Sequence, residues 1–261
     1  MLKNKIVLIT GASSGIGAAC ATYFARAGAK LVLCARRIDL LNQLTEKLKS
    51  EYHSDIFSFQ LDVRDRNAVE KKIAAIPETF QTIDIVVNSA GLAAGLDLIQ
   101  EGNVDDWDTM IDTNVKGLLY VTRAILPGMV ARGTGHIVNI GSISGRNVYV
   151  KGAVYCATKY AVRALTEGLR EDLLGTSIRV TSVDPGAVET NFSVARFKGD
   201  TERAKKVYQG FTPLTPDDVA DAIFYCVTRP AHINIRELVL LPTDQVSVTS
   251  VARRSLPTGR V

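Results

Sequence analysis

The sequence predicts an α/β protein built on one doubly wound, seven-stranded parallel sheet with helices on both faces. Three observations carry that expectation. Seven short apolar runs recur along the 261 residues. Longer stretches between them repeat their apolar residues every three or four positions. No internal repeat, low-complexity tract or Pro/Ser-rich linker divides the chain. Strands alternating with helices build βαβ units, and these assemble into a mostly parallel sheet.

Taken in order, the strands are expected at KIVLIT near residue 5, KLVLCA near 30, DIFSFQLD near 55 and IDIVVNSAG near 83, then GHIVNIGS near 135, IRVTSVDPG near 178 and RELVLLP near 236. They read as apolar throughout rather than alternating, as strands covered on both faces do. Between them, Ile38, Leu41, Leu44 and Leu48 share one helix face, as do Val69, Ile73 and Ile76. The domain is expected over residues 1–245. Residues 187–215 interrupt the rhythm with a polar, charged stretch, with a helix beginning near Thr215, and have the length of a lid over a site. The polar tail 246–261 reads either as a loose terminus or as an arm that docks on a neighbouring subunit.

Composition narrows the function. Hydrophobic residues make up 46% and charged residues 22%, which is ordinary for a globular chain. A net charge of +4 with no block of like charges carries no nucleic-acid footprint. Cys20, Cys34, Cys156 and Cys226 lie far apart without metal-ligand spacing, so no metal site is expected and the thiols read as reduced, as in a cytoplasmic protein. No run of 18 apolar residues would span a membrane, and the apolar run from Ile6 to Ile9 is too short for a signal peptide.

The first strand runs into Thr10-Gly-Ala-Ser-Ser-Gly-Ile-Gly17 and then a helical stretch. Gly11, Gly15 and Gly17 allow a sharp turn and close approach of a ligand, with Ser13, Ser14 and Ile16 between them. The helix N-terminus offers N–H groups to a phosphate. At the end of the second strand, an NAD-selective protein would carry an acid for the ribose 2′-hydroxyl. Here Arg36 and Arg37 follow instead, and guanidinium groups suit a 2′-phosphate, so NADP is favoured over NAD. Tyr155 and Lys159 lie four residues apart on one helix face. An ammonium there is expected to lower the phenol's pKa toward the range of a general acid/base. Ser142 follows the fifth strand, where carboxyl ends of strands open onto the ligand crevice.

TGASSGIG, NSAG (Asn88 to Gly91), Asn114 in DTNVKG, Ser142, Tyr155-x3-Lys159 and Pro185-Gly186-x-Val188-x-Thr190 occur in the order seen in the short-chain dehydrogenase/reductase family, which the chain resembles over about residues 3–245. Ser89 stands where the family usually has a second Asn. The resemblance implies a single-domain Rossmann fold and NADP as cofactor. It makes Tyr155 the general acid/base, Ser142 the group polarising the substrate oxygen, Lys159 the holder of the nicotinamide ribose, and Asn114 the residue positioning a relay water. It also implies that Asp62, with Val63 beside it, caps the adenine, although Asp62 reads equally as a turn residue. Asn88, Ala90 and Gly91 would line the adenosine ribose side. Val188 and Thr190, after Pro185 and Gly186, would meet the nicotinamide amide.

Segments such as GLAAG (91–95), DWDTMIDTN (106–114) and ARFKGD (195–200) resemble, within the family, NADP-dependent dehydrogenases of small 3-hydroxy acids such as serine and L-allo-threonine. The alternatives are a broad carbonyl or ketoacyl reductase and a non-catalytic NADP-binding protein. An acidic substrate needs a cation, for which Arg146, Arg196 and Lys198 are candidates, with Arg196 expected to reach in from the lid. His53, His136 and His232 read as structural, Cys156 as turned away from Tyr155, and Trp107 as core or interface. Apolar faces on the helices expected over 105–131 and 153–174, with the resemblance, imply a four-helix dimer contact doubled to a homotetramer through the last strand and tail.

Overall fold

In the computed structural model, which describes residues 2–254, seven parallel strands form one sheet in the order β3-β2-β1-β4-β5-β6-β7. The elements run β1 (Ile6–Thr10), α1 (Gly15–Arg26), β2 (Lys30–Ala35), α2 (Ile38–Tyr52), β3 (Ile56–Gln60), α3 (Arg66–Ala74), α4 (Glu78–Gln81) and β4 (Ile85–Asn88). They continue with α5 (Val104–Ile111), a π-helical turn (Asp112–Gly117), α6 (Leu118–Arg132), β5 (Thr134–Ile140), α7 (Ala153–Asp172), β6 (Ser177–Pro185), α8 (Phe192–Arg196), α9 (Thr201–Lys206), α10 (Pro216–Val227) and β7 (Glu237–Leu240). All seven expected strands are present, and the architecture is the expected Rossmann-type single domain.

Side-chain alternation along the strands divides the core into two layers. In β1, Val7 and Ile9 face one layer with Phe24, Leu41 and Ile223. Ile6 and Leu8 face the other with Val69, Val121 and Met129. Both faces are thus covered by helices, which explains why the strands read as unbroken apolar runs. α10 packs on α1 beside the sheet, where Phe224 meets Phe24 and Tyr23 at 6.1 and 6.2 Å. Its start, expected near Thr215, is fixed by a capping box in which Thr215 and Asp218 hydrogen-bond each other's backbone N–H.

Strand order reverses between β1 and β4, because β1 pairs with β2 on one side and β4 on the other. Such a switch point opens a crevice at the carboxyl ends of the strands. A buried polar thread holds the sheet beneath it. Asn88 Nδ2 donates to Thr122 Oγ1 (3.1 Å) and to Asn139 Oδ1 (2.9 Å), and Asn139 Nδ2 donates to Thr166 Oγ1 (2.9 Å). This corrects the expectation that Asn88 lines a ribose: its side chain points into the sheet–helix interface and ties β4 to β5 and α6.

Residues 187–215, expected as a polar, charged stretch of lid length, contain α8 and α9. The tail returns to its own chain. Gln245 bridges Val251, the Arg254 N–H donates to Gly210 O at 2.7 Å, and Arg253 caps the carbonyls of Val207 and Gln209 while stacking on Phe211. The described part of the tail therefore fastens the end of the lid segment; residues 255–261 of the expected arm lie outside the described residues.

Candidate active site

The crevice above the switch point is a cleft of about 350 Å³. On one side stands the turn from β1 into α1. Gly11 and Gly15 have φ of +67° and +55°, in the left-handed region that favours glycine. A methyl on Gly17 would lie 2.5 Å from Gly11 O, so only glycine lets α1 start this close under the turn. Ser14 is the N-cap residue of α1, yet its side chain makes no cap; its Oγ instead accepts from Arg37 Nη2 at 2.5 Å. The first N–H groups of α1 thus have no side-chain acceptor and face the cleft, which suits a phosphate.

Arg36 and Arg37 line the same end of the cleft, with no carboxylate at the end of β2. Gln60 holds the backbone there by donating to Arg36 O at 2.8 Å. The donor set fits a dinucleotide carrying an extra phosphate on its adenosine ribose. Asp62 and Val63 form the neighbouring wall. The Asp62 carboxyl is raised by burial but held lower on balance by hydrogen bonds from Arg64, at 2.6 to 3.0 Å. Ala90 and Gly91 continue the wall.

The other end of the cleft collects Ser142, Tyr155 and Lys159 together with Pro185, Gly186, Val188 and Thr190. Ser142 leaves β5 as the cap of a short 3₁₀ turn, accepting from the Ser144 N–H at 3.1 Å. Its hydroxyl also acts on the Tyr155 phenol, favouring the ionised form. α7 presents Tyr155 and Lys159 on one face; both are buried, and Lys159 Nζ lies 6.0 Å from the Tyr155 ring centre while donating to Ile140 O at 2.8 Å. Asn114 sits in the π-helical turn, a distortion frequent at functional sites. Its Nδ2 donates to Leu92 O (2.8 Å) and Thr158 Oγ1 (3.0 Å), and its Oδ1 accepts from the Leu92 N–H (2.9 Å). A methyl on Gly91 would lie 3.4 Å from Asn114 Oδ1 and 3.8 Å from Lys159 Nζ, so the two side chains look onto the same small space.

The electrostatics differ from expectation at Tyr155. Burial pushes the phenol up to about 12, opposed by the Arg196 guanidinium and by the Ser142 hydroxyl. Lys159 is itself brought down to about 8 by burial, with Asp184 acting against it. The charge that works on the phenol directly is therefore Arg196. It comes from α8 and lies 4.9 Å from the Tyr155 ring centre, donating to the Tyr149 hydroxyl at 2.8 Å.

Arg146 does not reach the cleft. Its Nη2 pairs with Asp184 at 2.8 Å and with Glu237 at 2.6 Å, which ties the β5–α7 connection to β6 and β7. Two acids already hold this guanidinium, so Arg146 is corrected from substrate candidate to structural cation. Lys198 is paired too, with Asp106 at 2.9 Å. His136 is buried against Thr181, and burial lowers it to about 3. Cys156 Sγ faces Asn147 O, away from the cleft, and all four cysteines are free and buried.

Beside the main cleft, a second pocket of about 20 Å³ lies under the lid between Trp107, Met110, Tyr149, Tyr155 and Arg196. Trp107, expected in the core or an interface, lines it. Tyr149 and Phe192, the latter edge-on to Tyr155 at 5.5 Å, carried no signal in the sequence. They belong to irregular or very short segments, without the periodicity that marks a helix face.

Comparison with known proteins agrees with this geometry. The chain is 48% identical over 241 residues to the NADP-dependent 3-hydroxy acid dehydrogenase YdfG of Salmonella typhi, covering 92% of this chain and 96% of the relative. It is 43% identical over 254 residues to the NADP-dependent 3-hydroxy acid dehydrogenase of Schizosaccharomyces pombe, covering 97% and 98%. The closed form of serine dehydrogenase in complex with NADP+ superposes with a TM-score of 0.89 at 46% identity, over 96% of this chain and 100% of that one. The family model of the short chain dehydrogenases matches residues 5–201. The chain belongs to the short-chain dehydrogenase family.

Proposed function

We propose that the protein is an NADP-dependent oxidoreductase that interconverts the 3-hydroxyl and 3-oxo groups of small hydroxy acids such as L-serine or L-allo-threonine. The observation that carries the substrate class is the Arg196 guanidinium, placed against the Tyr155 ring in a pocket of only about 20 Å³. A cation beside the reacting group calls for an acid on the substrate, and so small a space leaves room for few atoms beyond it. A broad reductase of bulky ketones has less support from this pocket.

NADP supplies or accepts the hydride when bound. The α1 turn would hold its diphosphate, and Arg36 and Arg37 its 2′-phosphate. Pro185, Gly186, Val188 and Thr190 would face the nicotinamide end. In the oxidative direction, Tyr155 takes the proton of the substrate hydroxyl. In reduction it returns that proton to the carbonyl oxygen. Ser142 would hold the oxygen in place, Lys159 would hold the nicotinamide ribose, and Asn114 would position a water through which the Tyr155 proton exchanges with solvent. The protein's part is position and electrostatics.

We further read the protein as a cytoplasmic homotetramer. Ile111 and Leu119 stay exposed along α5 and α6, as does Tyr160 on α7, and Val239 is exposed on β7 at the sheet edge. Among the described residues, no helix is long and apolar enough to cross a membrane.

The test is one activity panel with NADP and NAD against L-serine, L-allo-threonine, 3-hydroxypropanoate and simple ketones. Preference for NADP with the free hydroxy acids supports the reading. Equal or better turnover of uncharged bulky ketones overturns it.

A further inference from the structure

We propose that the acid group of the substrate and the Tyr155 phenol share the Arg196 guanidinium, so that docking of the acid draws this cation away from the phenol and raises the pH at which Tyr155 gives up its proton. The proposal rests on the hydroxy-acid reading above and adds a coupling between recognition and chemistry.

The geometry sets two demands on one cation. The Arg196 guanidinium is 4.9 Å from the Tyr155 ring centre and 5.1 Å from that of Phe192. Its Nη2 is used on the Tyr149 hydroxyl, whereas its Nε is buried without a hydrogen-bond partner. A buried donor left unpaired is costly, so an acceptor that reached this Nε would be favoured. The small pocket beside it is where a substrate acid would enter; besides Tyr149, Tyr155 and Arg196 it is lined by Asp97, by Asp106, which Lys198 holds at 2.9 Å, and by Lys151.

The groups facing the Tyr155 phenol can be named element by element. The loop after β5 brings Ser142, the segment before α7 brings Tyr149, α8 brings Arg196 and Phe192, and α7 itself carries Cys156 and Lys159. Tyr149 and Cys156 act against ionisation of the phenol, whereas Arg196 and Ser142 favour it. Lys159 is 6.0 Å from the ring centre and committed to Ile140 O. Arg196 is thus the one charged group among these that a substrate acid can neutralise. A uncharged substrate of the same size leaves the guanidinium to the phenol.

The test compares 3-hydroxypropanoate with its uncharged amide, 3-hydroxypropanamide, under saturating NADP. The acidic limb of the kcat–pH profile for oxidation reports loss of the Tyr155 proton in the complex. The limb is expected about 1 pH unit higher for the acid than for the amide, at the low end of the shifts produced by a charge within about 4–6 Å. In Arg196→Gln the amide's limb should move up by about 1 pH unit because the phenol has lost its cation, with the KM of the acid raised at least about tenfold and that of the amide little changed.

Coincident limbs in the unmodified protein, or an amide limb that does not move in Arg196→Gln, would overturn the coupling. If Arg196→Gln raises both KM values equally, the hydroxy-acid reading itself has failed. A selective KM effect with coincident limbs sinks the coupling alone. Arg196→Lys keeps a charge on a different stem and separates loss of the cation from loss of lid folding: a retained gap supports the proposal.

Discussion

Replacing Arg36 by alanine should change which coenzyme the protein prefers without changing how it folds. Arg36 and Arg37 border the cleft at the end of β2, where no carboxylate stands to receive a ribose 2′-hydroxyl. Arg37 is already engaged with Ser14 Oγ, so Arg36 is the freer of the two to meet a 2′-phosphate. A hydrogen bond to a charged group contributes about 1.5–3 kcal/mol net, and the exposure of Arg36 places it at the lower end. About 1.5 kcal/mol is roughly tenfold in affinity. Titration of coenzyme fluorescence should therefore show NADPH binding weakened about tenfold in Arg36→Ala, with NADH binding changed less than about twofold. Equal losses for both coenzymes would refute the reasoning, because the arginine would then be reading a part that NAD and NADP share.

Two further predictions concern stability. Arg146→Met leaves the Asp184 carboxylate, 3% exposed, without its cation, and should lower the urea-unfolding free energy by about 3 kcal/mol, with partial recovery on adding Asp184→Asn; a single variant as stable as the parent would contradict the ion-pair assignment. His136 is lowered by burial to about 3, so the unfolded chain binds its proton first, and stability is lost as pH falls below the ordinary histidine value. At pH 5 this costs about 2 kcal/mol relative to pH 7.5, an acid sensitivity that His136→Gln should remove when urea unfolding is followed at both pH values.

The strands were legible because each is buried on both faces, and Leu8 or Val87 could be nothing but core. The coenzyme turn was legible because its glycines answer to a steric demand, seen in the 2.5 Å that would separate a Gly17 methyl from Gly11 O. The proposed acid/base pair was legible from the four-residue spacing of Tyr155 and Lys159, but its electrostatics were not. Helix spacing says nothing of burial, which dominates the Tyr155 phenol and lowers Lys159. Arg146 and Arg196 looked alike in sequence, and only folding brings Asp184 and Glu237 from distant strands to claim the first. Tyr149 and Phe192 were missed because irregular and short segments carry no period. Asn88 was misread because the strand's pleat, not its motif, decides that its side chain faces Thr122 and Asn139.

The central claim is that the Tyr155 hydroxyl carries the proton that accompanies hydride transfer. Single-turnover oxidation of 3-hydroxypropanoate by Tyr155→Phe, with saturating NADP and coenzyme affinity checked separately, tests it most directly. Removing a general acid/base costs about 10²–10⁴-fold, so the rate should fall at least about 100-fold while NADP still binds. A rate within a few-fold of the unmodified protein would contradict the account.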